Sequence, residues 1–235
     1  SPSASGFLPG LQGLHAAVVR KLDGDPLKEY RIQIELPWMD GKNKLLWARL
    51  STVYATNASG NFFLPEPDDE VVVGFMNEDP GHPIILGGVY GERHKPPYEY
   101  EAKNNTKAIV TREKMRIEFN EEKKMVKIST PGKNTVEISD DDKHIKLTDQ
   151  NKNEIVMNSS GISFSSAKDI TLKAKGAITM DATSKFSATA KQDVSLEGLN
   201  VNMQAKVSAA VKGNAKAELS ASGQTTVKGG MVMIN

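Results

Sequence analysis

Residues 162–227 read ISFSSAKD, ITLKAKGA, ITMDATSK, FSATAKQD, VSLEGLN, VNMQAKVS, AAVKGNAK, AELSASGQ and TTV when broken at each return of one pattern. Every segment opens on two positions of a shared type: Ile162/Phe164, Ile170/Leu172, Ile178/Met180, Phe186/Ala188 and Val194/Leu196. One residue is then dropped near Gly198, and the beat resumes with Val201/Met203, Ala209/Val211, Ala217/Leu219 and Thr225/Val227. A spacing of two within each couplet is the period of a strand. A fixed period between couplets marks a repeat architecture, so this region is expected to be a rod rather than a globule.

Eight extended residues span roughly 26 Å. Closed on itself, that perimeter makes a triangle with sides of about 9 Å, too narrow for faces that pack about 10 Å apart. Three octads can enclose a core. They could come from one chain as a solenoid turn, or from three chains, one face each. A single-chain solenoid should carry a slower period of three octads with distinct corners, and none is visible, which favours three chains. The energetics agree. Each couplet offers two apolar side chains, the large ones worth roughly 1.5–3 kcal/mol apiece. Ordering eight backbone residues costs roughly 8–16 kcal/mol. A disordered tract would suit the Ala/Ser/Lys/Gly composition, but disorder does not require register.

Upstream the couplets continue at looser spacing: Ile117/Phe119, Val126/Ile128, Val136/Ile138, Ile145/Leu147 and Ile155/Met157. Polar, turn-forming runs at 120–124, 130–134, 139–143 and 149–153 separate them. The expectation is one continuous prism with larger corners at its start.

The first ninety residues are a different object. Aromatics concentrate there (Phe7, Tyr30, Trp38, Trp47, Tyr54, Phe62, Phe63, Phe75, Tyr90) and thin out after Phe119. That shift, with His94-Lys95-Pro96-Pro97 as a stiff linker, puts a domain boundary near residue 95. Five strands are expected at His15–Leu22, Glu29–Leu36, Leu45–Ala55, Glu70–Met76 and Ile84–Tyr90, with Tyr30, Ile32, Ile34 and Leu36 alternating. Five short strands in this length suggest an OB-fold barrel. Trp38, Trp47, Phe62 and Phe63 could form a stacking platform for nucleotides or sugars. The favoured reading is that they fill the barrel and the interfaces between barrels. The chain is therefore expected to be all-β: residues 1–13 a linker or expression scar, 14–95 the OB-fold, 96–116 a linker and the start of the prism, 117–228 an intertwined three-chain β-helix (a β-prism), and 229–235 an apolar tip.

With 30 Lys and Arg against 29 Asp and Glu, the net charge is +1, and no clustered basic patch points to nucleic acid. There is no cysteine, hence no disulfide framework or thiolate chemistry. No apolar run spans a bilayer, and Ser1–Gly10 lacks the features of a signal peptide. The start at Ser rather than Met suggests a piece of a longer protein.

No catalytic constellation emerges, so the chain is not expected to be an enzyme, and no cofactor or metal is assigned. His15, His82, His94 and His144 have no neighbours at metal-ligand spacing. Glu66, Asp68, Asp69 and Glu70 could supply paired carboxylates for glycoside hydrolysis, but a solvated turn or an inter-subunit salt bridge fits them better. Asp140-Asp141-Asp142 could ligate calcium, though an exposed strand corner is the favoured reading. The end, Gly229-Gly230-Met231-Val232-Met233-Ile234-Asn235, is unusual, because chain ends are normally polar. Repeated three times round an axis, Met231, Val232, Met233 and Ile234 read as a docking platform, as a plug for the last turn, or as both.

The order of these pieces resembles the C-terminal half of VgrG-type spike proteins of type VI secretion and related contractile injection systems, akin to the central spike of contractile phages. In the first domain the resemblance rests on Leu14–Val19, Tyr30–Pro37, Trp47-Ala48-Arg49-Leu50, Phe63-Leu64-Pro65-Glu66, residues 69–75, Asp79-Pro80 and residues 83–87. It continues through the octads to the Gly-Gly apolar terminus. The resemblance implies a homotrimer seated on a tail tube and hub, with a PAAR-repeat tip protein on Met231–Ile234 and with attached effectors. It implies assembly in the bacterial cytoplasm and export by sheath contraction, with mechanical penetration of the target membrane. Family hub, lysozyme and effector segments have no counterpart in these residues, so a structural spike is expected. The alternative is a tail-fibre or tailspike-type carbohydrate-binding stalk, and a third reading is a nucleic-acid-binding OB protein on a trimeric stalk.

Overall fold

The computed structural model of the chain describes residues 10–234, and the side chains of residues 42–43 are left aside. Phe7, most of the 1–13 segment and Asn235 thus lie outside the described residues. The chain divides into two compact units, meeting at Thr171 and Leu172.

The first unit begins with five strands that close into a barrel. They are β1 (His15–Lys21), β2 (Ile32–Glu35), β3 (Leu45–Leu50), β6 (Glu70–Phe75) and β7 (Pro83–Gly88), in the order β1-β2-β3-β7-β6. All pairs are antiparallel except β3–β7, where Arg49 faces Ile84 and Leu50 faces Ile85. Closure removes free edges. Alternation places Ala17, Val19, Ile32, Ile34, Leu36, Ala48, Val71, Val73 and Ile85 inside, all at most 2% exposed. A small hairpin, β4 (Ala55–Thr56) and β5 (Ser59–Gly60), projects from the loop between β3 and β6.

Three expectations for this domain change. Strand β2 starts at Ile32, not Glu29, and Tyr30 is 98% exposed with a left-handed φ of 58°. The cause is Asp25. Its carboxylate accepts the backbone N–H groups of Leu27, Glu29 and Arg31 and the Arg31 guanidinium, curling the loop back before the strand begins. Strand β3 ends at Leu50, and Ala55 belongs to the hairpin. Trp38, Phe62 and Phe63 do not fill the barrel: its core is aliphatic, and these rings are exposed. Trp38 instead lies against His15, with ring centroids 5.1 Å apart, and Phe75 meets the same imidazole edge-on at 5.6 Å.

The segment from 89 to 105 is tethered at several points. Val89 N–H donates to the Glu70 carbonyl, and His94 lies 3.7 Å from Asp69. Tyr98 donates to Glu118 at 2.5 Å under the Arg116 guanidinium. Burial first, then the Glu118 carboxylate, pushes the Tyr98 phenol above its ordinary value.

Seven strands follow: β8 (Thr106–Val110), β9 (Arg116–Asn120), β10 (Met125–Ser129), β11 (Thr135–Ser139), β12 (His144–Thr148), β13 (Glu154–Asn158) and β14 (Gly161–Ser165). Each pairs antiparallel with its sequence neighbours, giving one sheet in chain order. The couplets fall on strands as expected, and within one chain residues 106–165 form an antiparallel meander. The turns decide this. Lys114, Lys124, Lys133, Lys143 and Lys152 each take a left-handed φ between 46° and 68°, reversing the chain between successive strands.

From Ser166 to Ile234 the described residues form no strand pairs. The backbone is extended and bends at 167/168, 175/176, 183/184, 191/192, 199, 206/207, 214/215, 222/223 and 230/231. The octad rhythm, with its short step, is therefore present in the backbone.

Candidate functional site: an uncovered apolar face and an unpaired repeat

Cross-strand register turns the upstream couplets into two rows, one across all seven strands and one from β9 to β14. One is Ile109–Ile117–Ile128–Val136–Leu147–Ile155–Phe164, and the other is Phe119–Val126–Ile138–Ile145–Met157–Ile162. Side chains directly opposite on one face are the unit of sheet stabilisation, and these rows are continuous. Most of their members remain substantially exposed, from Leu147 at 36% to Phe164 at 66%.

The other face carries the complementary row Glu118–Lys127–Glu137–Lys146, alternating in sign across four strands. Lys127 Nζ lies 2.9 Å from Glu137, and Lys146 Nζ lies 2.7 Å from Glu154. These charged residues are half-buried while most of the apolar rows, all but Val126 and Ile155, are exposed. Burial is thus inverted relative to a domain that folds alone, where apolar groups are the ones removed from water. An exposed apolar face of this extent marks an interaction surface. Ile128, Val136, Leu147, Ile155 and Phe164 of the first row line a groove together with Ile170. Asn153 holds the chain ahead of Ile170 by accepting from the Ser166 hydroxyl and the Ala167 N–H.

In the octads the inversion is complete, and every described residue from 167 to 234 is exposed in the single chain. Lys216 and Glu218 pair with each other across Ala217 in the sequence. Met231, Val232, Met233 and Ile234 are 81, 50, 78 and 92% exposed, continuous with the octads at the end of the second unit.

The other candidates resolve into local structure. Glu66 pairs with Arg112 at 2.9 Å, and Asp68 pairs with Arg20 at 2.5 Å. Asp69 accepts the Glu66 N–H at 2.8 Å, and Glu70 is on β6. The acidic cluster is thus a set of ion pairs and a turn. Of the three adjacent aspartates only Asp142 finds new company. The β11–β12 hairpin brings its carboxylate together with Glu137 and His144, ligand atoms all within 4.8 Å of one another. Linear spacing hid this trio, because residues 137 and 144 meet only across a hairpin. Its groups are already engaged: Glu137 by Lys127 and His144, Asp142 by Ser139. Lys127 foremost, with His144 adding, holds the Glu137 carboxyl below its ordinary range against partial desolvation. His82 is closed by Asp79 at 2.9 Å.

Two family models match. Residues 15–90 match the type VI secretion system/phage-baseplate injector OB domain, and residues 125–235 match the phage baseplate V C-terminal trimerisation domain. Among similar proteins are two Pseudomonas aeruginosa proteins named type VI secretion system spike proteins. VgrG1b is 30% identical over 112 residues, 45% of this chain and 15% of the relative. VgrG1c is 32% identical over 108 residues, 43% of this chain and 15% of the relative. A Vibrio cholerae protein named actin cross-linking toxin VgrG1 is 30% identical over 112 residues, 45% of this chain and 10% of that one. The chain thus spans only a small part of the curated relatives it matches. With an injector OB barrel in its first part and a trimerisation domain in its last, it belongs to the VgrG-type spike family.

Proposed function

We propose that three copies of this chain form the shaft of a spike in a contractile injection machine, which pierces a target envelope and carries a tip protein and effectors. The observation that carries this reading is the inverted burial. The barrel closes its own core, whereas both the sheet and the octads leave their apolar couplets in water. A threefold assembly gives those couplets an interior, and the trimerisation domain at 125–235 supports it. The job follows from the physics. Strands shared among chains leave few free edges, and unfolding requires several chains to separate together, which favours kinetic stability over a binding pocket.

In this reading the barrel end faces the tail tube and hub, and Met231–Ile234 seat the tip protein. Assembly takes place in the bacterial cytoplasm, followed by export through contraction. No helix among the described residues is long and apolar enough to cross a membrane. The names of the relatives support a secreted spike over a carbohydrate-binding stalk. The test is solution mass: the expected value is three times 25.6 kDa, and a well-ordered monomer would overturn the reading.

A further inference from the structure

We infer that the seven-residue segment Val194–Asn200 is a register key by which three copies of this chain align. The partner it selects is a second copy with the same repeat count on both sides of the key. The inference rests on the trimer reading above.

An uninterrupted octad rod has a defect as an assembly. Sliding one chain by a whole octad returns every couplet to a couplet, so wrong registers differ from the right one only at the ends. Register is weakly specified wherever a repeat is uniform. The short segment removes that degeneracy. If one chain slips by one octad, the couplet level of Val201/Met203 receives Asp193/Ser195, and in the other direction the level of Val194/Leu196 receives Asn202/Gln204. Each further octad of slip misplaces another couplet, so the penalty grows with the error. Polar groups forced into a shared core without partners are costly, which is how wrong assemblies are excluded.

Two observations independent of the couplets locate the key. The backbone bends at 191/192, 199 and 206/207, so the step is short in geometry as well as in sequence. Beyond it the bends return to steps of eight, at 214/215, 222/223 and 230/231. The short segment therefore shifts phase once and then holds it to the end of the repeat.

The experiment adds one glycine after Gly198, restoring an octad. Full-length wild type and this insertion chain carry different tags and are prepared alone and by co-expression. Each alone is expected to be a trimer. In a mixed trimer the insertion chain presents Asn200/Asn202, Ser208/Ala210, Lys216/Glu218 and Gln224/Thr226 where its partners present Val201/Met203, Ala209/Val211, Ala217/Leu219 and Thr225/Val227. Random association would give about three-quarters mixed trimers. The expected result is that mixed trimers are scarce, and that trypsin cuts any recovered at Lys206, Lys212 and Lys216 under conditions that leave both homotrimers whole. A chain with one residue added after Gly41, in a barrel loop, should mix at the random share. Mixed trimers of the Gly198 insertion at that share and with full resistance overturn the key, as does failure of the insertion chain to trimerise alone. A monomeric wild type would show in its mass that the trimer reading itself has failed.

Discussion

Replacing Phe186 with Ala isolates the interchain contribution of the octads, because this ring has little to lose within its own chain. Phe186 is 67% exposed in the single chain. Completing its burial recovers about two-thirds of the roughly 1.5–3 kcal/mol available to a large apolar side chain, or about 1–2 kcal/mol per chain. Three copies meet at one level, so the trimer weakens by about 3–6 kcal/mol, before any added cost of the cavity. At about 1.4 kcal/mol per tenfold, the dissociation equilibrium moves by two to four powers of ten. Mass photometry and sedimentation over a dilution series would read the shift. The melting of the barrel serves as an internal reference that should not move. An unmoved dissociation midpoint, or a Phe186→Ala protein that loses stability as a monomer, refutes the reasoning.

Gly213→Ala should destabilise the assembled repeat by about 1–3 kcal/mol per chain, the usual range for overpacking, read as a lowered melting temperature. An added Cβ there would collide with the Lys216 carbonyl oxygen, whereas at Gly176 it meets nothing of its own chain within 4 Å, so Gly176→Ala carries no such clash within the chain. Asp25→Asn should lower the melting point of the barrel. The Arg31 guanidinium foremost, then backbone N–H groups, hold the Asp25 carboxyl well below the usual range. A depressed folded-state value means that the contribution is complete above the unfolded value near pH ~4 and is lost as pH falls below it. Acid titration of melting should therefore be less steep in the variant. Replacing Met231 and Ile234 together with Asp should abolish capture of a tip protein while leaving the trimeric mass unchanged, and retained capture would count against the docking reading.

The barrel was legible because alternation there ends in burial within one chain: Val71, Val73, Ile32 and Ile34 are inside because each strand has a partner nearby in sequence. Its errors arose where a side chain overrode the pattern. Tyr30 continues the alternation on paper, yet Asp25 takes the backbone ahead of it. The octads were legible for the opposite reason. Their period is printed in both sequence and backbone, although beyond Ser166 no strand pairing among the described residues rewards it. The sheet between was half legible. Its couplets announced strands, but the reversal of the chain between them depended on lysines held at left-handed φ, such as Lys133 and Lys143. A lysine carries no such signal, since any residue but glycine is strained there. The trio of Glu137, Asp142 and His144 was invisible for a related reason: it exists only once the hairpin has formed.

Self-sufficiency falls along the chain, and that gradient suggests an order of assembly. The barrel encloses nine fully buried apolar residues without help. The sheet has every internal strand paired on both sides by adjacent hairpins, so it can form from local contacts, which close fastest. Beyond Ser166 the described octads have no strand pairing of their own and cannot offset the entropy of ordering until other chains are present. Folded sheets would then present two apolar rows each before any octad is fixed. Three such faces meeting would raise the local concentration of the repeats, leaving the short step at Val194–Asn200 to reject chains that arrive one octad out.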